Sequence, residues 1–530
     1  MSRRPASAED LIREHEALLF QRAYPRNRAS LVRAERELSR FGARVEKFAR
    51  DGGDLEPFDR PEVSGIAGTS ITTDYSYDVV RWLAARFPRR VRLAWEDHEE
   101  TDRLRALFPR FLPLLEEEAL EDANVPYVDW LRAAEPNARK ELAWLLRRIE
   151  ALPLTGTERA ERYDALRVPI VWELGNGRIT RTRMRWRAGR PFLHSGPLLA
   201  RRDVSLPEML AAPPIPMRKL SRAEGERVVD LTRGATVLRY REYYGFTYAD
   251  PSSVRAARVG RGVEIFLMGL ARGRRLPLRA GFAGFILKNG VPVGYIEGLA
   301  LFERIEIGFN IYYTFREGES AWIFGRVLRL LNQLYGVTSF SVDPYQLGHE
   351  NREAIESGAF WFYRKLGFRP TSPRVRRLVE AEERRIASDL SYRSSSRTLE
   401  RLVTGNVLYE IDPARAGAWN RFHVRNIGLA VQRRMQLAYG GDAKRARSGA
   451  AGRIARILGV RVPGAASERK SFTDFALALD LIRDLPRWTR DEKRALVGIV
   501  RAKTGPDEID YLERLQRHER LRSAILRLGQ

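Results

Sequence analysis

The chain contains no cysteine, which excludes disulfides, thiolate metal ligands and a thiol nucleophile. It has only six histidines in 530 residues and no apolar run that approaches the length of a bilayer span, which takes roughly 18–20 residues. The opening MSRRPASAED is basic without an apolar stretch behind it, so no secretory signal is expected. Lysine is scarce as well: nine Lys stand against 84 Arg. These absences leave a cytoplasmic enzyme or binding protein as the expectation, with no membrane span and no metal.

What is present is length and apolar content. At 530 residues and 44% hydrophobic, the chain can bury several cores, about two to four domains. Its formal charge of +25 fits either a basic surface for nucleic acid or another polyanion, or a codon bias toward arginine.

Residues 1–165 read as mainly helical, with Leu11, Leu18, Leu31, Leu38, Phe41 and Val45 at helical spacing and Pro25 breaking the run. Further helices are expected at 77–87, 112–120, 128–133 and 142–149. Gly65 to Ser70 lacks the lysine and spacing of a phosphate-binding loop and reads as a turn. Glu96 to Glu100, with His98 inside it, could hold a divalent metal or form a solvated first turn of a helix. Residues 166–212 read as an Arg-rich β-hairpin and linker. On its second strand Arg181, Arg183, Arg185 and Arg187 would share one face, because side chains alternate with period two. Beyond 372 the pattern turns helical, including 399–408, with a Gly-, Ala- and Arg-rich mobile loop expected at 440–453.

The informative stretch is 282–370. Apolar alternation at 282–287 and 293–301 brackets Asn289-Gly290, a strong hairpin signal. Ile307, Phe309 and Ile311 continue the alternation; after a short polar loop, Ile323, Val327, Leu330, Leu331 and Leu334 switch to helical spacing. A strand that feeds a helix through a Gly-containing loop leaves the helix's first N–H groups converging on one spot, which suits an anion. A further strand at 337–342 and the run Ala359 to Pro370 (AFWFYRKLGFRP) follow.

Ala359 with Tyr363-Arg364-Lys365-Leu366-Gly367-Phe368 resembles the closing helix and strand of the GNAT superfamily of N-acyltransferases. The strand, loop and helix of Ile307 to Leu334 stand where that family places its pyrophosphate loop. The resemblance covers roughly 217–370 and implies an α/β (α+β) chain. Its GNAT-like mixed central sheet with flanking helices would occupy 213–372, between helical regions 1–165 and 373–530. The loop fits the family pattern in two registers, Phe315, Gly318 and Ser320 or Arg316, Glu319 and Ala321; the second places a carboxylate beside the phosphates.

Function follows from the resemblance as an expectation: acyl transfer from acetyl-CoA or another acyl-CoA to an amine acceptor. Arg316, Gly318, Glu319, Ser320 and Ala321 would line the pyrophosphate. A backbone amide near Asn310 or Ile311 would polarise the thioester carbonyl. Glu306 or Glu297 would be the base, and Tyr363 would protonate the leaving thiolate. His349 and Asn351, after the 337–342 strand, could line a pocket, and Asn351 could equally cap a helix. Tyr240 to Tyr248 interleaves aromatics with Arg239 and Arg241, which could stack a planar acceptor or form core and rim. The alternative is a non-catalytic GNAT-fold protein that binds nucleic acid or another phosphorylated ligand through its arginines.

Overall fold

The computed structural model describes residues 7–113, 125–186, 189–389 and 391–530. The chain forms two compact units. The first comprises residues 1–195, 229–247 and 289–292, and the second 196–228, 248–288 and 293–530.

In the first unit, α1 (Ala8–Ala23) and α2 (Arg28–Arg50) each start at a capping box, Ser7 with Asp10 and Asn27 with Ser30, which satisfies amides the helix cannot pair itself. Their buried leucines, with Phe41 and Val45, form the apolar seam. A small antiparallel sheet, ordered β1-β3-β2, consists of β1 (Ser70–Thr73), β2 (Val91–Leu93) and β3 (Ile170–Glu173). Gly65 to Ser70 is a turn whose amides are already used: Ala67 N–H donates to Thr182 Oγ1 and Gly68 N–H to the Gly175 carbonyl, both at 2.9 Å. Helices occur at Tyr77–Arg86, Tyr127–Ala134 and Glu141–Ala151. The expected 112–120 helix falls mostly outside the described residues.

One expectation fails here. No second strand forms over 178–186; the chain turns instead, with Met184 N–H donating to the Thr180 carbonyl at 2.8 Å. Arg181 is buried against Glu16 at 2.7 Å, Arg183 donates to Asn176 Oδ1 at 3.1 Å, and Arg185 pairs with Glu35. Arg187 lies outside the described residues. The expected cationic face is therefore replaced by internal pairs. The acidic run at 96–100 is likewise committed: Glu96 pairs with Arg92, Glu100 with Arg103, and His98 Nε2 lies 3.1 Å from the Leu166 carbonyl. Among the described residues no cluster could hold a metal.

The second unit is built on a nine-stranded mixed sheet in the order β11-β12-β10-β9-β8-β7-β6-β5-β4. The strands are β4 (Met217–Lys219), β5 (Arg255–Gly260), β6 (Val263–Gly269), β7 (Ala280–Lys288), β8 (Val291–Leu301), β9 (Arg304–Ile311), β10 (Ser339–Val342), β11 (Arg369–Pro370) and β12 (Val407–Glu410). Asn289 and Gly290, at φ +48° and +79°, link β7 to β8 in the two-residue turn that only left-handed backbone allows. Helix α3 (Ser320–Tyr335) carries the chain from β9 to β10, which pair in parallel. It buries Ile323, Phe324, Val327, Leu328, Leu330 and Leu331. The last helix of the expected domain is broken at Gly358 (φ +68°) into α4 (Arg352–Glu356) and α5 (Ala359–Arg364).

The sheet does not end at 372. β12 inserts between β10 and β11, so the expected helix over 399–408 is a short helix, Ser396–Leu402, followed by a strand. The expected mobile loop at 440–453 is largely helical. Helix α6 (Val424–Tyr439) is followed by α7 (Ala443–Leu458). Asp442 caps α7 by accepting from Arg445 N–H at 2.9 Å, and Ala446, Ala450, Ile454 and Leu458 form its buried stripe.

Candidate functional site

The site starts where β9 loses a partner. Tyr312 N–H donates to the Val293 carbonyl at 2.9 Å, and β8 and β9 stay in register from Gly294 opposite Ile311 to Leu301 opposite Arg304. Amides of an antiparallel strand alternate between its two edges, so Asn310 and Gly308 point theirs at β8. Phe309 and Ile311 point theirs the other way. On that edge β10 pairs only from Ser339 to Ser341, opposite Arg304 to Glu306. The parallel ladder therefore opens beyond Glu306, and the Phe309 and Ile311 amides have no ladder partner among the described residues. Of the two positions expected to polarise a carbonyl, Ile311 is the one facing the opening. Gly294 keeps the two strands close: a Cβ there would lie 2.4 Å from the Asn310 carbonyl oxygen.

β9 runs through the turn Tyr313–Phe315 into α3. Gly318 N–H is used within this turn, donating to the Phe315 carbonyl at 2.9 Å, and the first helical bond runs from Ile323 N–H to the Glu319 carbonyl at 3.0 Å. The amides left over are those of Glu319, Ser320, Ala321 and Trp322, the unpaired donors of a helix start. Gly318, expected among the donors, is not one of them, because the local turn claims its hydrogen. Ser320 Oγ donates to the Arg316 carbonyl at 3.3 Å. Arg316 pairs with Glu353 and lies over the Tyr313 ring, 5.5 Å from its centroid.

Glu319 sits at the N-cap, yet its carboxylate does not face the open amides' hydrogens as a cap. It is fully buried and accepts from Arg261 Nε at 2.8 Å, Lys288 Nζ at 3.1 Å and Leu199 N–H at 3.2 Å. Burial opposes its ionisation, but Arg261 and Lys288 hold the carboxyl below its ordinary value. Burial lowers Lys288 to about 8, against the pull of Glu319. With two cations on one carboxylate, the Arg261–Lys288–Glu319 group beside the helix start carries a net positive charge.

Tyr363, on α5, has its ring packed among Phe324, Phe362 and Phe368 at centroid distances of 5.5, 5.2 and 5.6 Å. Burial pushes its phenol well above the ordinary value, so the hydroxyl stays protonated. That hydroxyl has no hydrogen-bond partner among the described residues.

A polar cluster covers one face of β9. Glu306, Gly308 and Asn310 share that face with Glu297, which lies opposite Gly308, diagonal to Glu306 at roughly 7–8 Å. Glu306 is bracketed by Arg304 at 2.9 Å and Arg279 at 3.4 Å. Arg304 also donates to Ser341 Oγ at 2.9 Å and leaves its buried Nε without a partner. At the end of β10, Asp343 accepts from Tyr345 N–H at 2.8 Å. Burial pushes the Asp343 carboxyl above its ordinary value against that bond, and the Glu306 charge adds to the rise. Gln346 lies over Gly308, where a Cβ would come within 3.4 Å of its Nε2. His349 is exposed, and Asn351 caps α4, accepting from Ala354 N–H at 3.2 Å.

Asp343, Arg304 and Arg279 are functional candidates that sequence spacing does not single out; the polar loop after 337–342 was the only signal. Of the aromatic run 240–248, residues 240–247 belong to the first unit and Tyr248 to the second; in the first unit Tyr240 donates to Asp59 and Ser76 N–H to Glu242. Set against known protein families, curated proteins and solved structures, the chain matches none of them.

Proposed function

We propose that the second unit is an N-acyltransferase of GNAT type, moving an acyl group from acyl-CoA to an amine. One observation carries this reading: a parallel strand pair that opens just before β9 enters the start of α3. It sets the unpaired amides of Phe309 and Ile311 close in sequence to those of residues 319–322. The antiparallel run β7-β8-β9 leading into that loop, and the helix bearing Tyr363 after β10, support it further.

In this reading the amides of 319–322 hold the pyrophosphate, drawn by their aligned dipoles and by the excess positive charge of the Arg261–Lys288–Glu319 group. The acceptor nitrogen attacks the thioester carbonyl carbon, forming the C–N bond while the carbonyl oxygen becomes an oxyanion held by the Ile311 amide. Collapse breaks the C–S bond, and the thiolate takes the Tyr363 proton. The proton lost by the nitrogen goes to a carboxylate. Glu306 is already engaged by two arginines; Asp343, whose affinity for a proton is raised by burial, is the acceptor this reading favours.

Two predictions follow from these roles. A Gly318→Asp change places a carboxylate beside the phosphates without touching the acceptor cluster. Acyl-CoA affinity, measured by calorimetry, should fall about tenfold or more, with turnover at saturation preserved and the unfolding temperature unchanged. Unaltered affinity would remove the loop from the site. For Asp343, a base works only when deprotonated, so kcat/KM should rise with pH through a pKa above the ordinary carboxylate range of roughly 4. Asp343→Asn should abolish that acidic limb and lower kcat/KM by about 10²-fold or more; an intact limb would return the role to Glu306 or Glu297.

A further inference from the structure

The excess charge of this chain is not spread evenly. Residues 421–461 contain ten Lys and Arg against a single acid, Asp442. A compositional preference for arginine would place such residues wherever the surface allows, and many of them elsewhere pair with carboxylates. Three of the ten have as well: Arg434 and Arg453 pair with Asp480 and Arg447 with Asp474. Arg425 and Arg433 on α6, and Lys444, Arg445 and Arg456 on α7, have no carboxylate partner among the described residues, and all five are exposed.

Their placement is directional. On α6, Arg425, Leu429, Arg433 and Leu437 succeed one another at intervals of four, one face of a helix, and that face is exposed along its length. The α6 start lies beside the polar cluster over β9. Phe422, two residues before α6, packs on the Arg304 guanidinium at 5.8 Å, and Arg304 holds Glu306. His423, between Phe422 and α6, is kept below its ordinary value by burial and by Arg425 and Arg304, with Glu306 opposing.

We propose that α6 and α7 form a phosphodiester-binding track, and that the amine acylated at the β9 cluster is carried on a nucleic acid. The second half of this rests on the acyltransferase reading; the first does not. The chemistry favours nucleic acid over an anionic membrane. Arginine forks match phosphate oxygens, and the exposed apolar residues on α6, Leu429 and Leu437, alternate with cations and Gln432 and Gln436 instead of forming the broad apolar face that interfacial insertion requires.

The test uses the full chain and the quadruple variant Arg425→Gln, Arg433→Gln, Lys444→Gln, Arg445→Gln. A control variant carries Arg222→Gln, Arg352→Gln, Arg494→Gln and Arg517→Gln, exposed arginines of the same unit that pair with neighbouring acids. Anisotropy of labelled DNA and RNA, as duplex and single strand, is read across a salt series. The parent should bind with a linear log–log salt dependence, and the track variant should lose about 0.7–0.9 of slope per phosphate contact removed, about 3 in all. The control should keep the parent slope. Absence of binding, an equal loss in both variants, or binding to phosphatidylserine vesicles with none to nucleic acid would overturn the track. Acyl-CoA affinity is measured on the same samples: if the parent binds nucleic acid through the track but no acyl-CoA, the acyltransferase reading fails and the track stands.

Discussion

Replacing Tyr363 by Phe should lower turnover by about 10²–10⁴-fold and leave acyl-CoA affinity within a small factor of the parent's. The substitution deletes one oxygen from a ring whose packing against Phe324, Phe362 and Phe368 is otherwise complete, so the core should keep its stability. Burial keeps the phenol protonated, which suits a group that must hold its proton until a thiolate forms. The affinity should survive because the phosphates are held by the α3 start, not by α5. A normal rate in Tyr363→Phe would make the residue part of the core and nothing more. A fall in affinity with unchanged saturated turnover would assign it to binding instead.

Glu319→Gln should lower the unfolding free energy by about 3–5 kcal/mol, the cost of stranding a buried charge. Lys288 is wholly buried and Arg261 mostly so, and neither could recover full hydration without opening the core at the α3 start. Combining Glu319→Leu with Lys288→Met should be milder than Glu319→Gln alone, because the wholly buried cation is removed along with the carboxylate, while the partly exposed Arg261 keeps access to water. The pH dependence of the parent gives a second reading of this group. Lys288 has a folded value lowered to about 8 by burial, below its value in the unfolded chain. The unfolded state therefore binds more protons across that interval, and the lysine's contribution to stability should improve as pH rises through it. Chemical denaturation of the three proteins at neutral and alkaline pH measures both effects. Equal stability of Glu319→Gln and parent would show that the pair contributes no net stability.

The strands from 280 to 311 and helix α3 were legible because the apolar period changes from two to 3.6 across one short loop, and because Asn289-Gly290 admits the left-handed backbone its turn needs. Alternating arginines at 181, 183 and 185 imitate a strand equally well. What decides against one is the pairing with Glu16 and Glu35, more than 140 residues away, which spacing cannot reveal. The strand at Val407–Glu410 was hidden for a similar reason, its identity set by pairing with Ser339–Val342. In the site, the helix start was foreseeable from local pattern, whereas the open strand edge was expected only from the family resemblance. The loss of the Gly318 donor depends on one turn bond, and the rise of Asp343 depends on burial and on Glu306 from another strand. Glu319 looked like an obstacle to phosphate only while Arg261 and Lys288 were unseen.

The claim that the opening beside β9 and the start of α3 form an acyl-CoA site is tested most directly by amide hydrogen exchange with and without coenzyme A. Saturating coenzyme A should slow exchange at Glu319, Ser320, Ala321 and Trp322, and at Phe309 and Ile311, while amides already bonded to β8, such as Asn310, change little. If coenzyme A binds and protects a different segment, or leaves every amide of 309–322 exchanging at its free rate, the site and the acyltransferase reading built on it are wrong.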